Sequence, residues 1–315
     1  MPTTAILLVA HGTPERVEDI PAFLDNIRRG RSTPPQIVQE VRRRYEAIGG
    51  RSPLLDTTRA QAEALSRRTA LPSFVAMRMW HPYIEDVLRE ISERGFDRLV
   101  VLTMAPHSAH VYEPVVREAA ARLARQGATV PELLCAPCWG DEPALHRAWA
   151  EATLHVISAL DPRELARAVL VPSAHSLPMR VVQAGDPYPQ LVHETAEGVL
   201  AALGQSGLPH ILAFQSQGMT ADPWLGPDLP TVFERARTTG ARSVVVLPIG
   251  FLSDHVETLY DLDIEARALA AEAGLAFHRV PCLNASDRLI EAMQRVVQKL
   301  IGADENALTP GYWQT

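Results

Sequence analysis

Cysteine is scarce in this chain: Cys135, Cys138 and Cys282 are the only three among 315 residues. That excludes a disulfide-stapled secreted scaffold. Three thiols also fall short of the four that an all-cysteine zinc or iron–sulfur site takes, so no iron–sulfur cluster is expected. Cys135 and Cys138 form a Cys-x-x-Cys, but no second pair follows at zinc-ribbon spacing and Cys282 stands alone. Aromatic residues make up only 6%, and the formal net charge is −7. With no basic stripe interleaved with aromatics, a nucleic-acid surface is excluded. Long apolar runs are missing too, and none approaches the roughly 20 residues that cross a bilayer. The chain opens on Met-Pro-Thr-Thr with no basic leader segment, so a cytoplasmic protein without a membrane span is expected.

What is present is strand–helix alternation. Apolar, β-branched-rich runs at Ala5–Ala10, Phe74–Met79, Leu99–Met104, Ala168–Ser173, Ile211–Phe214, Ser243–Ile249 and Ala276–Val280 read as strands. Amphipathic stretches at Pro35–Ile48, Thr57–Thr69, Ile84–Arg94, Glu113–Gln126, Ala144–Ala159, Gln190–Leu203 and Leu229–Thr239 read as helices. The pattern predicts an α/β fold with parallel sheets flanked by helices. The length exceeds what one core usually organises, and the halves resemble each other. Ala10-His11-Gly-Thr-Pro14 in the first half matches Ala174-His175-Ser-Leu-Pro178 in the second. Val100 to His110 matches Val245 to His255 in the same order. Two similar Rossmann-like domains, 1–160 and 161–315, with a cleft between them are expected. The final helix is expected to pack back on the first domain, and the tail from Gly302 to Thr315 to be loosely ordered. A monomer is expected.

The richest stretch is Pro248–Glu265. An apolar strand ends at a turn on Gly250 and feeds a helix opening at Ser253/Asp254, on which Glu257, Asp261 and Glu265 recur every four residues. That spacing puts three carboxylates on one helix face. Like charges so placed weaken an isolated helix by a few tenths of a kcal/mol per pair, so a cation or a proton donor is the natural partner. A capping box between Asp254 and Glu257 explains Glu257 alone. His175 ends a strand, where open α/β sheets bind their ligands, and an imidazole facing carboxylates can hold a divalent metal or move protons. Trp224 reads as wall packing, and His255 as a helix-start residue in solvent or behind the ligands rather than a ligand. Trp80, His81 and His107 follow strand ends, where the cleft is expected, but nothing in the sequence demands that they line it.

These motifs resemble those of ferrochelatases. Val-Pro-Ser-Ala-His-Ser-Leu-Pro around His175 is similar to the family's active-site histidine signature, and Pro248–Glu265 to its acidic-helix signature. Phe214–Pro227, Gly12-Thr-Pro14, Arg28-Arg-Gly-Arg31 and Arg44–Pro53 follow the same pattern, so the resemblance spans Leu7 to Leu300. It implies Fe2+ insertion into a porphyrin in heme biosynthesis. His175 and Glu257 are then the catalytic pair, and Asp261 and Glu265 join them as metal contacts leading outward, with room for a second divalent cation at the outer carboxylates. No resident cofactor is implied, since iron is a substrate. The porphyrin is expected to lie against His11, Arg28, Arg44, Tyr45, Ser52 and Tyr112, with Arg29 and Arg31 nearby. The front motifs resemble the branch that uses coproporphyrin III rather than protoporphyrin IX. His11 stands where that branch usually has Tyr, and Ala-His-Gly instead echoes the cobalt and sirohydrochlorin chelatases. Such a chelatase, or a non-catalytic heme- or metal-binding bilobal protein, is the alternative reading.

Overall fold

Eight strands form two parallel sheets of the same design, seen in a computed structural model that describes residues 2–28, 30–204, 207–218 and 222–306. The first sheet has the order β2-β1-β3-β4, from β1 (Thr4–Ala10), β2 (Ser73–Met77), β3 (Arg98–Thr103) and β4 (Glu132–Cys135). The second repeats it as β6-β5-β7-β8, from β5 (Ala168–His175), β6 (Ala213–Gln215), β7 (Ser243–Leu247) and β8 (Ala276–Arg279). Strands β1, β5 and β7 are almost wholly buried, which is why they read as unbroken apolar runs: helices cover both faces. The edge strand β4 is absent from the sequence-based reading. Four residues, Glu-Leu-Leu-Cys, are too few to show a period, and they sit at a half-buried edge.

Two helices begin earlier than expected. Ala109–Arg125 starts four residues before Glu113 and carries Pro114 inside it; reading Pro as a first-turn residue misplaces the start. Leu54–Thr69 begins right after Pro53. The last helix, Asp287–Asn306, runs through Gly302, which corrects the expectation of loose order from that residue on. Positions 307–315 lie outside the described residues. This helix packs on the first domain: Arg68 Nε donates to Gln294 Oε1 at 2.8 Å, and Lys299 Nζ to Glu142 Oε2 at 2.5 Å. Its apolar residues Leu289, Ile290, Met293 and Val297 join one continuous core with Leu55 and Leu65 of the first domain and Val245 and Leu247 of the second. Among the described residues no helix is long and apolar enough to cross a membrane.

Candidate active site

His175 is the last residue of β5, paired in register with Gln215 of β6. The residues after it are fixed by the end of β6 and the loop that follows it. Ser176 donates its amide to Gln215 O and its hydroxyl to Leu225 O, both at 2.7 Å, while Leu225 N donates to Leu177 O at 2.8 Å. Tyr188 donates its hydroxyl to the His175 carbonyl at 3.0 Å. The Pro-Trp-Leu-Gly-Pro segment around Trp224 is therefore a brace for the histidine loop. Gly250, after β7, passes so close that a Cβ there would lie 2.7 Å from Ala174 Cβ. Only glycine lets the two chain segments meet.

The acidic segment departs from the expected helix in two ways. It opens at Val256, with His255 as N-cap in extended conformation; the His255 amide donates to Thr258 Oγ1 at 3.0 Å. Asp254 lies outside the helix, where Thr258, Asn284 and Arg279 donate to its carboxylate. The capping box read between Asp254 and Glu257 is thus absent, and Glu257 is left free to face the cleft. Beyond Tyr260 the chain widens into a π turn, Asp261–Ala266, in which Glu265 N donates to Tyr260 O at 3.0 Å, five residues back. An α-helix drifts by about 40° over each four-residue step (3.6 residues per turn). A wider turn takes up more residues per revolution and counters that drift. Regular α-helix resumes over Arg267–Glu272.

Glu257 stands between two imidazoles. His175 Nδ1 lies 3.3 Å and His255 Nε2 3.5 Å from the same oxygen, Glu257 Oε2. The His175 contact is close enough for an ion pair but off the axis of a hydrogen bond, so Nδ1 remains a buried nitrogen without a hydrogen-bond partner. Burial works to raise the Glu257 carboxyl pKa, yet the two histidines reverse this and hold it well below the usual range. For His175 burial works downward, but Glu257, and Asp261 beyond it, overcome it and raise its pKa. The pair is therefore stable as imidazolium and carboxylate. Asp261 is buried, takes a hydrogen bond from Ser216 Oγ at 2.5 Å and pairs with Arg44 Nη1 at 3.0 Å. Burial pushes its carboxyl up to about 6, Glu257 and Glu265 adding to the rise and Ser216 and Arg44 opposing it. Glu265 is exposed. The three carboxylates differ in setting: Glu257 sits between two histidines, Asp261 is paired with Arg44, and Glu265 faces solvent. Among the described residues no three His, Cys, Asp or Glu side chains form a metal cage.

His175, His255 and Glu257 line a cavity of about 380 Å³ between the domains, walled also by residues that include His11, Ile27, Leu54, His107, Tyr112, Tyr188 and Phe251. Larger hollows elsewhere are open depressions on the surface, such as that between Arg163, Arg167 and Arg242. His11 follows β1 as His175 ends β5. It is open to the cleft yet ringed by protein, and the surrounding low-dielectric volume sets its protonation. Burial lowers its pKa to about 4, against the pull of Glu257 and with help from Arg78, His255 and His175. Tyr112 is buried beneath Arg78, whose guanidinium carbon lies 5.1 Å from the ring centroid; burial pushes its phenol up to about 12. Arg28 has a buried Nε without a hydrogen-bond partner. Arg44 is engaged with Glu40 and Asp261. Tyr45 and Ser52 are almost fully buried, Tyr45 in a cluster with Ile20, Phe23 and Trp80. Arg29 lies outside the described residues.

A ferrochelatase family profile matches residues 3–300. The chain belongs to the ferrochelatase family. Among the relatives, a coproporphyrin III ferrochelatase from Anoxybacillus flavithermus is 36% identical over 304 residues, covering 93% of this chain and 94% of that one. The coproporphyrin III ferrochelatase of Bacillus subtilis is 34% identical over 312 residues, 94% and 97% of the two chains. Of solved structures, the sirohydrochlorin chelatase SirB from Bacillus subtilis subspecies spizizenii in complex with cobalt superposes with a TM-score of 0.53 at 14% identity, over 97% and 98% of the chains. At that identity the likeness carries the fold alone. Two contributors at the site escape a reading of the sequence. Arg78 follows the end of β2, the same positional signal that picks out His11. For His255 the sequence favours a place at the helix start, in solvent or behind the ligands, and its contact with Glu257 depends on the extended N-cap conformation, which no spacing rule announces.

Proposed function

We infer that this ferrochelatase inserts Fe2+ into a porphyrin, releasing the ring's pyrrole protons, with coproporphyrin III as the favoured substrate. The observation that carries the reading is the Glu257 carboxylate held between His175 and His255 at the cleft, with Asp261 one turn further along the chain. A flat macrocycle cannot admit a metal past in-plane N–H groups, so the ring must be held bent while a base collects its protons. Glu257, kept ionised by its neighbours, is available as that base, and the His175 imidazolium can hand its own proton on as the carboxylate takes one up. A borderline cation such as Fe2+ suits imidazole and carboxylate alike. An open line of donors can pass it inward without trapping it.

Preference for coproporphyrin III is supported by the front arginines. Arg28 offers a guanidinium Nε with no protein acceptor, and Arg binds carboxylates through paired, charge-assisted hydrogen bonds. Coproporphyrin III brings more carboxylates than protoporphyrin IX. The relatives named as coproporphyrin III ferrochelatases at 34–36% identity point the same way. The test is anaerobic incubation of the purified chain with Fe2+ and each porphyrin, with the Soret band followed over many turnovers. Catalytic turnover with higher kcat/KM for coproporphyrin III is expected. Faster turnover of protoporphyrin IX would overturn the preference, and no turnover with either would overturn the activity.

A further inference from the structure

A π turn is rare and occurs mostly as a single turn within an α-helix, frequently at a functional site, which raises the question of what supports this one. Here the support comes from the end of β8. Arg279 donates Nε and Nη2 to the two carboxylate oxygens of Asp263, at 2.7 and 2.8 Å, and Nη1 to Asp254 Oδ1 at 2.9 Å. Asp263 lies inside the π turn, and Asp254 just precedes the helix that carries Glu257. One guanidinium therefore ties together the two ends of the segment that presents Glu257 and Asp261. Its side chain is only 12% exposed, and those of Asp254 and Asp263 are 17% and 28% exposed, so the fork is held away from bulk water. The Asp254 end is braced again by Asn284, which donates Nδ2 to Asp254 Oδ2 and accepts from Asp254 N. The Asp263 end has no second side-chain brace among the hydrogen bonds of the described residues, apart from the Arg267 contact to its carbonyl.

Resting on the iron-insertion reading above, we propose that Arg279 is a positioning residue for metal capture: its two-ended grip on Asp254 and Asp263 holds the π turn open so that Asp261 keeps its place between Ser216 and Arg44, one turn beyond Glu257. It touches neither iron nor porphyrin. Geometry makes the requirement specific. Asp261 takes its hydrogen bond from Ser216 and its ion pair from Arg44 only while the turn keeps its width. Two residues after Asp261, Asp263 is the handle by which that width is set. Lysine carries the same charge but cannot fork onto one carboxylate while reaching another, so charge alone does not replace this grip.

The test compares wild type, Arg279→Lys, Arg279→Met and Asp263→Asn, with apparent KM for Fe2+, kcat and porphyrin affinity measured separately. Porphyrin affinity is read from the Soret shift without iron. Wild-type turnover establishes the activity itself; its absence would overturn the functional reading and the proposal with it, whereas the variants overturn the proposal alone. Given wild-type turnover, Asp263→Asn and Arg279→Lys are each expected to raise KM for Fe2+ five- to twentyfold. Their kcat should fall less than threefold and porphyrin affinity should be unchanged. Arg279→Met breaks both ends and is expected to show the largest KM. A purely structural arginine would lower the melting temperature in all three variants and leave KM for Fe2+ at the wild-type value; that result overturns the proposal. If Arg279→Met fails to fold, Asp263→Asn decides alone, since it keeps the Arg279–Asp254 contact.

Discussion

Arg44 of the first domain and Asp261 of the second meet in an ion pair at 3.0 Å. Arg44 also holds Glu40 at 2.9 Å and stacks its guanidinium carbon 5.0 Å from the Tyr260 ring centroid. An arginine expected to grip only substrate carboxylates is thus paired with the acid one turn beyond Glu257. Replacing it should disturb metal and porphyrin together, and that separates it from Arg28.

Arg28→Ala is expected to lower kcat/KM for coproporphyrin III by roughly ten- to a hundredfold, the loss of one charge-assisted contact at about 1.5–3 kcal/mol. Protoporphyrin IX should suffer less. Arg44→Ala should also raise the apparent KM for Fe2+, because Asp261 loses its ion pair. Steady-state kinetics with both porphyrins check the division, and it fails if the two variants behave alike.

His175→Ala should reduce iron insertion by roughly 10²–10⁴-fold, the usual worth of a positioned acid–base group. Porphyrin binding, followed by the Soret shift, should stay within about threefold of wild type, because Ser176 and Tyr188 hold this loop through backbone atoms that the substitution keeps. Near wild-type turnover would falsify a catalytic role.

Glu257→Gln and Asp261→Asn should differ in kind. Glu257 is central to the histidine pair, so its loss should appear in kcat at saturating iron. Asp261 is one step outward, so its loss should appear chiefly in KM for Fe2+, as should that of exposed Glu265 to a smaller degree. Equal effects on both parameters from all three variants would remove the distinction.

A pH effect on stability is expected from His107, which is 1% exposed with its Nε2 2.8 Å from Thr195 Oγ1. Burial lowers its pKa to about 4 from an ordinary 6.5. The unfolded chain therefore binds a proton below pH 6.5 that the folded chain refuses until about pH 4. Stability is fully present above pH 6.5 and is lost as pH falls through that window, by about 3 kcal/mol in total. In urea unfolding, the stability difference between wild type and His107→Gln should shrink by about 2–3 kcal/mol from about pH 7 to about pH 4.5. A difference that does not change with pH would show that His107 titrates normally.

Much of this was legible in the sequence, for identifiable reasons. Buried parallel strands such as β1 and β7 announce themselves as apolar runs, and the repeated Ala-His at 10–11 and 174–175 marks equivalent strand ends in two sheets of equal order. Glu257 and His175 can be placed at one cleft edge because strand ends define that edge. What cannot be read depends on contacts between distant segments. The π turn needs Arg279, sixteen residues beyond Asp263, and a four-residue spacing looks the same in either kind of helix. Tyr45 is expected as a donor from its place beside Arg44. Its burial results from Ile20, Phe23 and Trp80, which come together only in the folded chain.

The last helix, Asp287–Asn306, has a consequence for how the molecule is made. Its apolar face fills the core beside Leu55 and Leu65 of the first domain, which leave the ribosome long before it does. During synthesis the first sheet must wait with that flank uncovered until nearly the whole chain has emerged. Contacts of such sequence separation delay the closing step of folding. The first domain is thus sealed by a segment made more than 200 residues after Leu65.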